Sequence, residues 1–248
     1  MKTIDQVFKN VFGKALISLG FINPKQSNIL FKLVNGEVLQ FVSIKKESAR
    51  VEGRKEFTII AGVRSIYAES IEKKALLYCA CDLLYLAGDS YSMEQRRQLV
   101  SISYDEATME EAVDFALLKT LEIILPKLNM VTDLSSCIEF YKKYRPDMLD
   151  CADCFHNDSL ILIKTDNRDT FAKEIEEQLG VFLARLEKGE IGGDINSYRA
   201  GLHHGFITAI AEPRDKVFSD PELYARATTE LERRKDVSKK ILESYGLL

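Results

Sequence analysis

The chain has 248 residues, of which 46% are hydrophobic and 29% charged, so it can bury a core without disulfides or metal. No apolar run approaches the roughly 20 residues of a membrane helix, and Asp5 and Lys9 interrupt any signal-peptide core. A cytoplasmic protein is therefore expected, and five cysteines, an odd count, do not suggest a disulfide framework.

The net charge of −4 is unevenly spread. Residues 1–64 carry 11 basic and 5 acidic side chains (+6), residues 65–163 carry 9 and 17 (−8), and residues 164–248 carry 14 and 16 (−2). Neither block is extreme enough to imply nucleic acid. The asymmetry reads as two parts of one fold that attract each other.

In chain order, Val7, Phe8, Val11, Phe12, Ala15, Leu16 and Leu19 recur at helical spacing and predict a first helix from Ile4 to Leu19, stopped by Gly20. Three strands are expected next: Ile29–Val34, Val38–Ile44 with a break near Ser43, and Phe57–Val63. Asn35-Gly36 between the first two is a hairpin signal. Ile71–Leu86 reads as a helix or a buried strand pair, and Gln98–Tyr104 as a short strand. Thr108 with Glu111 predicts a capping box on a helix that Pro126 stops, with Ala112, Phe115, Ala116, Leu118, Ile123 and Leu125 inward. Asp133 is expected to cap a helix from Leu134 to Tyr144. Leu160–Ile163 reads as a short buried strand. A helix from Asp169 or Thr170 through Leu186, a glycine-rich loop from Gly189 to Asp194, and helices over Tyr198–Glu212 and Pro221–Tyr245 complete the pattern. The fold class expected is α+β: an N-terminal helix and antiparallel sheet packed by helices over 1–150, then a mainly helical segment over 151–248.

This order is similar to that of a bacterial family of proteins with a domain of unknown function. The similarity rests on Leu19-Gly20-Phe21 at the end of the first helix, on the second strand Val38-Leu39-Gln40-Phe41-Val42 with its Gln, and on Phe57-Thr58-Ile59-Ile60-Ala61-Gly62-Val63. It covers roughly the first 145 residues. The family usually has a tryptophan after the third strand, and this chain has none. The resemblance implies a protein-binding or immunity-like role and supplies no catalytic residues.

Cys151-Ala152-Asp153-Cys154-Phe155-His156 is the sharpest chemical motif. Cys151, Cys154 and His156 have the spacing of a zinc half-site, with Cys137 as a fourth ligand. A redox pair and simple burial are the other readings. His203 and His204, with Tyr198 nearby, make a candidate small-ligand or enzymatic site. Adjacent helical residues diverge by about 100°, so the two do not chelate one ion together, and a packed histidine between glycines explains them equally. Asp105, Glu106, Glu110, Glu111 and Asp114 form an acidic cluster that suits a helix N-terminus or faces a basic partner. Lys45, Lys46, Arg50, Arg54 and Lys55 form a basic stretch without interleaved aromatics, as in a solvated hairpin tip. No phosphate loop or hydrolase motif occurs. The expectation is a non-enzymatic protein with a protein partner, no nucleic acid and no membrane, open to self-association. Zinc is the alternative cofactor.

Overall fold

The computed structural model describes residues 2–24, 28–48, 53–88, 91–145, 148, 161–165, 180–181, 183–189 and 221–248. They divide into two compact units. The first comprises Met1–Ile66, Ile71–Cys137 and Ser238–Leu248, and the second Tyr67–Ser70 and Ile138–Val237.

The first unit opens with helix α1 (Ile4–Ile17). Thr3 and Gln6 close a reciprocal capping box at its start. At its end the Phe21 N–H reaches the Leu16 carbonyl and the Gly20 N–H the Ile17 carbonyl. Gly20 sits at φ +86°, where a side chain is strained, so this closure uses the one residue without a Cβ. Strands β1 (Ile29–Val34), β2 (Val38–Glu47) and β3 (Lys55–Ser65) follow. Asn35 and Gly36 both adopt positive φ in the hairpin loop, as the dipeptide predicts. β2 does not break at Ser43. That residue pairs with Ile29 and Ile60, and its hydroxyl donates to the Asn28 carbonyl, so its polar group is satisfied within a continuous strand.

Residues 71–88 resolve into helix α2 (Lys73–Cys79), the two-residue strand β4 (Cys81–Asp82) and helix α3 (Leu83–Ala87). Of the strand expected over Gln98–Tyr104, the last three residues are extended as β5 (Ile102–Tyr104), while residues 98–100 end helix α4 (Met93–Val100). All pairings are antiparallel. The order is β1-β2-β3, and β4 and β5 both pair with the far edge of β3. The α+β class is therefore observed.

One sheet face carries Leu30, Val38, Val42, Ile59 and Val63, all buried, and is the face that α1 meets through Asp5–Lys46; Phe8 and Phe12 of α1 are fully buried, their rings 4.4 Å apart. The other carries Phe31, Phe41 and Gly62. Phe31 stacks at 4.9 Å on Tyr245, at the end of the C-terminal helix Pro221–Tyr245. A Cβ on Gly62 would stand 2.8 Å from the Phe41 ring and 3.3 Å from the Cys79 carbonyl, so β3 and α2 meet through a missing side chain.

Helix α5 (Met109–Lys119) passes through a π-helical turn (Thr120–Ile124) into α6 (Leu125–Asn129). Two expectations fail here. Thr108 forms no capping box, because Asp105 takes its hydroxyl: Thr108 donates to the Asp105 carboxylate from both N–H and O–H at 2.9 Å. Pro126 does not stop the helix. In an α-helix its ring would meet the carbonyl four residues back. In the wider π turn the Leu125 N–H instead reaches the Thr120 carbonyl, and the helix continues to Asn129. Asp133 caps α7 (Leu134–Tyr144) as expected, accepting from the Ser136 N–H at 2.8 Å.

In the second unit, residues 161–165 form a helical turn, α8, so the strand expected over Leu160–Ile163 is incorrect. Four apolar residues satisfy strand and buried-helix patterns equally. Of the helix expected through Leu186, residues 180–181 and 183–187 are helical. The C-terminal helix matches its expected bounds. It contributes up to Val237 to the second unit and from Ser238 on to the first. No described helix is long and apolar enough to cross a membrane.

Candidate functional site

The first unit places two helices side by side on one sheet face. Lys2, at the start of α1, pairs at 2.8 Å with Glu110 in the first turn of α5. Asp5 meets Lys46, far along β2, at 2.7 Å. At the other end, Gly20 lies against Lys32 of β1. Lys32 is paired with Gln40, whose amide donates to the Leu128 and Val131 carbonyls at 2.7 and 3.0 Å. Both helical rods thus run the same way, from the Lys46 end of the sheet to the Gln40 end. Gln40 is nearly fully buried and fastens the end of α6 to the strands. That is a structural use of the residue singled out in the second strand.

The outward face of this layer changes character along its length. Near its start α5 exposes Glu110, Glu111 and Asp114. Further on, Leu118 is 58% exposed, Leu121 is exposed, and Met130 after α6 is 76% exposed. α1 does the same: Lys14 is exposed in its last turn, and Ile17 (58%) and Leu19 follow it. Leu118 was expected inward. It lies two residues, about 200°, from buried Ala116, and therefore points to solvent. The exposed apolar side chains of both rods lie from the middle of the α5–α6 rod onward and at the end of α1. π-helical turns recur at functional sites, and this one sits inside the exposed stripe. A packing account covers the turn itself, because it accommodates Pro126, but not the leucines outside it.

Charge in the layer is partly committed. Glu110 is held below the usual carboxylate range by its bond to Lys2. Glu122 is lowered by Lys119 at 2.7 Å and by the Tyr91 hydroxyl at 2.8 Å. Asp105 is lowered by Thr108. Among the described residues, Lys9, Lys14, Glu111 and Asp114 have no ion-pair partner. The acidic cluster thus splits into a turn (Asp105), a clasp (Glu110) and an uncommitted pair. The basic stretch dissolves differently. Lys45 and Lys46 belong to β2 and Lys55 to β3, while Lys45 pairs with Glu47 and Arg54 with Asp105. Arg50 lies outside the described residues. The pairs Lys2–Glu110 and Arg54–Asp105 join the basic and acidic blocks of the sequence within this unit. Being exposed, each contributes little.

The second unit holds a different cluster. Lys164 and Lys235 both bridge Glu232, at 2.9 and 3.0 Å, and stand 5.0 and 5.8 Å from the centroid of the Tyr67 ring. Both lysines are raised, chiefly by hydrogen bonding to Glu232, and Glu232 is lowered in return. Two lysines beside a tyrosine suit an anion, but this carboxylate already occupies them. The cluster acts as a clasp between α8 and the C-terminal helix.

Cys151, Cys154 and His156 lie outside the described residues, as do Tyr198, His203 and His204. Cys137 is fully buried in α7. Among the described residues no group of three His, Cys, Asp or Glu side chains is placed to hold a metal ion. No family model matches the chain, and neither a curated protein nor a solved structure is similar to it.

Proposed function

We propose that this chain is a non-catalytic protein-binding protein and that the outer surface of the α1 and α5–α6 layer is its docking face. The observation that carries the reading is that Ile17, Leu19, Leu118, Leu121 and Met130 are all exposed along the latter half of two parallel rods. Single exposed apolar residues are ordinary, but a cluster rimmed by polar groups marks an interaction surface. The rim here is Lys14 on one rod and Glu111 and Asp114 on the other. A partner covering this surface removes apolar area from water and meets charges that have no ion-pair partner among the described residues.

A photo-crosslinking residue at position 118, introduced in cells that make the protein, tests this. A discrete protein adduct supports the reading. Absence of any adduct at 118, with the variant folded and abundant, contradicts it.

A further inference from the structure

We infer that the docking face takes an amphipathic helix of a different protein, one that sets lysines or arginines against the first half of α5 and apolar side chains against its end. The inference rests on the docking reading above and names the chemistry of the partner.

The open positions of α5 and the π turn that follows it include Glu111, Asp114, Leu118 and Leu121, which recur at intervals of three, four and three residues. That spacing draws one stripe along the rod, and a partner helix meets such a stripe with anchors at matching intervals. Chemistry divides the stripe: two carboxylates come first, then two leucines. Glu106, just before the helix, is exposed as well. Among the described residues Glu106, Glu111 and Asp114 form no ion pair, and Lys2 reaches Glu110 alone. Lys14, the exposed cation of α1, stands in the last turn of that helix, away from these acids. The helix dipole favours acids in the first turn, where Glu110 and Glu111 lie, but its field falls off within that turn. It accounts neither for Asp114, one turn further on, nor for the leucines. Uncompensated carboxylates on one side of a docking face repel an acidic partner and draw a basic one. Exposed charge pairs contribute little affinity by themselves, so the leucines supply the apolar contact and the carboxylates select the partner.

Photo-crosslinking from position 118 of the full chain, with mass-spectrometric sequencing of the linked segment, tests the inference. The segment should be a helix of another protein that carries lysines or arginines three or four residues apart beside apolar residues. Glu111→Lys with Asp114→Lys should cut the adduct roughly tenfold or more, with the far-ultraviolet circular dichroism unchanged. Because lysines near a helix start oppose the dipole, Glu111→Gln with Asp114→Asn is the gentler variant and should cut the adduct less. Changing the partner's basic residues to glutamate should restore capture by the lysine variant, a rescue that a purely structural role would not give. An adduct that both charge variants leave unchanged overturns the inference and leaves docking standing. So does a linked segment without basic residues at that spacing, or a link to a second copy of this chain. No adduct from the folded chain overturns both readings.

Discussion

The α5–α6 rod of the first unit and the C-terminal helix within the second unit dispose of their charges in opposite ways. Around Glu230 and Glu232 the C-terminal helix pairs charge internally. Glu230 accepts from Arg233 at 2.7 Å and from fully buried Arg234 at 2.9 Å, while Glu232 holds Lys164 and Lys235. α5 leaves Glu111 and Asp114 uncommitted and sets Leu118 and Leu121 beside them in water. A helix whose charges are matched by its own neighbours is finished as a structural part. One that leaves both charge and apolar area open offers the surface on which the proposed docking rests.

The largest effect that sharpens this contrast is in the core beneath the open layer. Phe12→Ala removes a fully buried ring packed on Phe8 and should cost about 3–5 kcal/mol in chemical denaturation. Next is Glu230→Gln. It leaves the buried Arg234 guanidinium without its carboxylate, at about 1–3 kcal/mol or somewhat more for a charged group. That loss should appear in the melting of the C-terminal helix. Gly62→Ala forces a Cβ towards the Phe41 ring and the Cys79 carbonyl and should cost about 1–3 kcal/mol.

pH separates the two helices further. Arg233, then Arg234, lower Glu230 from 4.5 to about 2 against the opposing cost of burial. A depressed carboxylate stabilises fully above its unfolded value and loses that contribution as pH falls through its folded value. Stability should therefore decline between about pH 4.5 and pH 2, and the decline should be shallower in Glu230→Gln, as followed by denaturation at each pH. The smallest change should be Leu118→Glu, within about 0.5 kcal/mol of wild type in stability. A large loss there would mean that Leu118 is packed and would collapse the contrast.

Much of the first unit was legible because its signals are local and periodic. The six apolar positions from Val7 to Leu16 in α1, the alternation in β1–β3, Asn35-Gly36 and Asp133 each state a geometry that neighbouring residues alone decide, whereas Leu19, expected on the same face, lies past the helix and is exposed. What was misread depended on competition or distance. Thr108 had a nearer suitor in Asp105 than in Glu111. Pro126 was compatible with a helix once a π turn preceded it. Residues 161–163 were too few to show a period. The candidate face was hardest to see, because it joins Ile17 to Leu121 across roughly a hundred residues of chain. A helical wheel of α5 could have found half of it, since Glu111, Asp114, Leu118 and Leu121 fall on the side opposite Ala112, Ala116 and Thr120. The shared direction of α1 and α5 came only from the Lys2, Asp5 and Gln40 contacts.

The most direct test of the central claim compares photo-crosslinking from position 118 with crosslinking from position 78, since Tyr78 is also exposed but lies on α2. A discrete protein adduct from 118 and none from 78 is the result that the docking face predicts. Equal labelling from both positions, or an adduct from 78 alone, would contradict it.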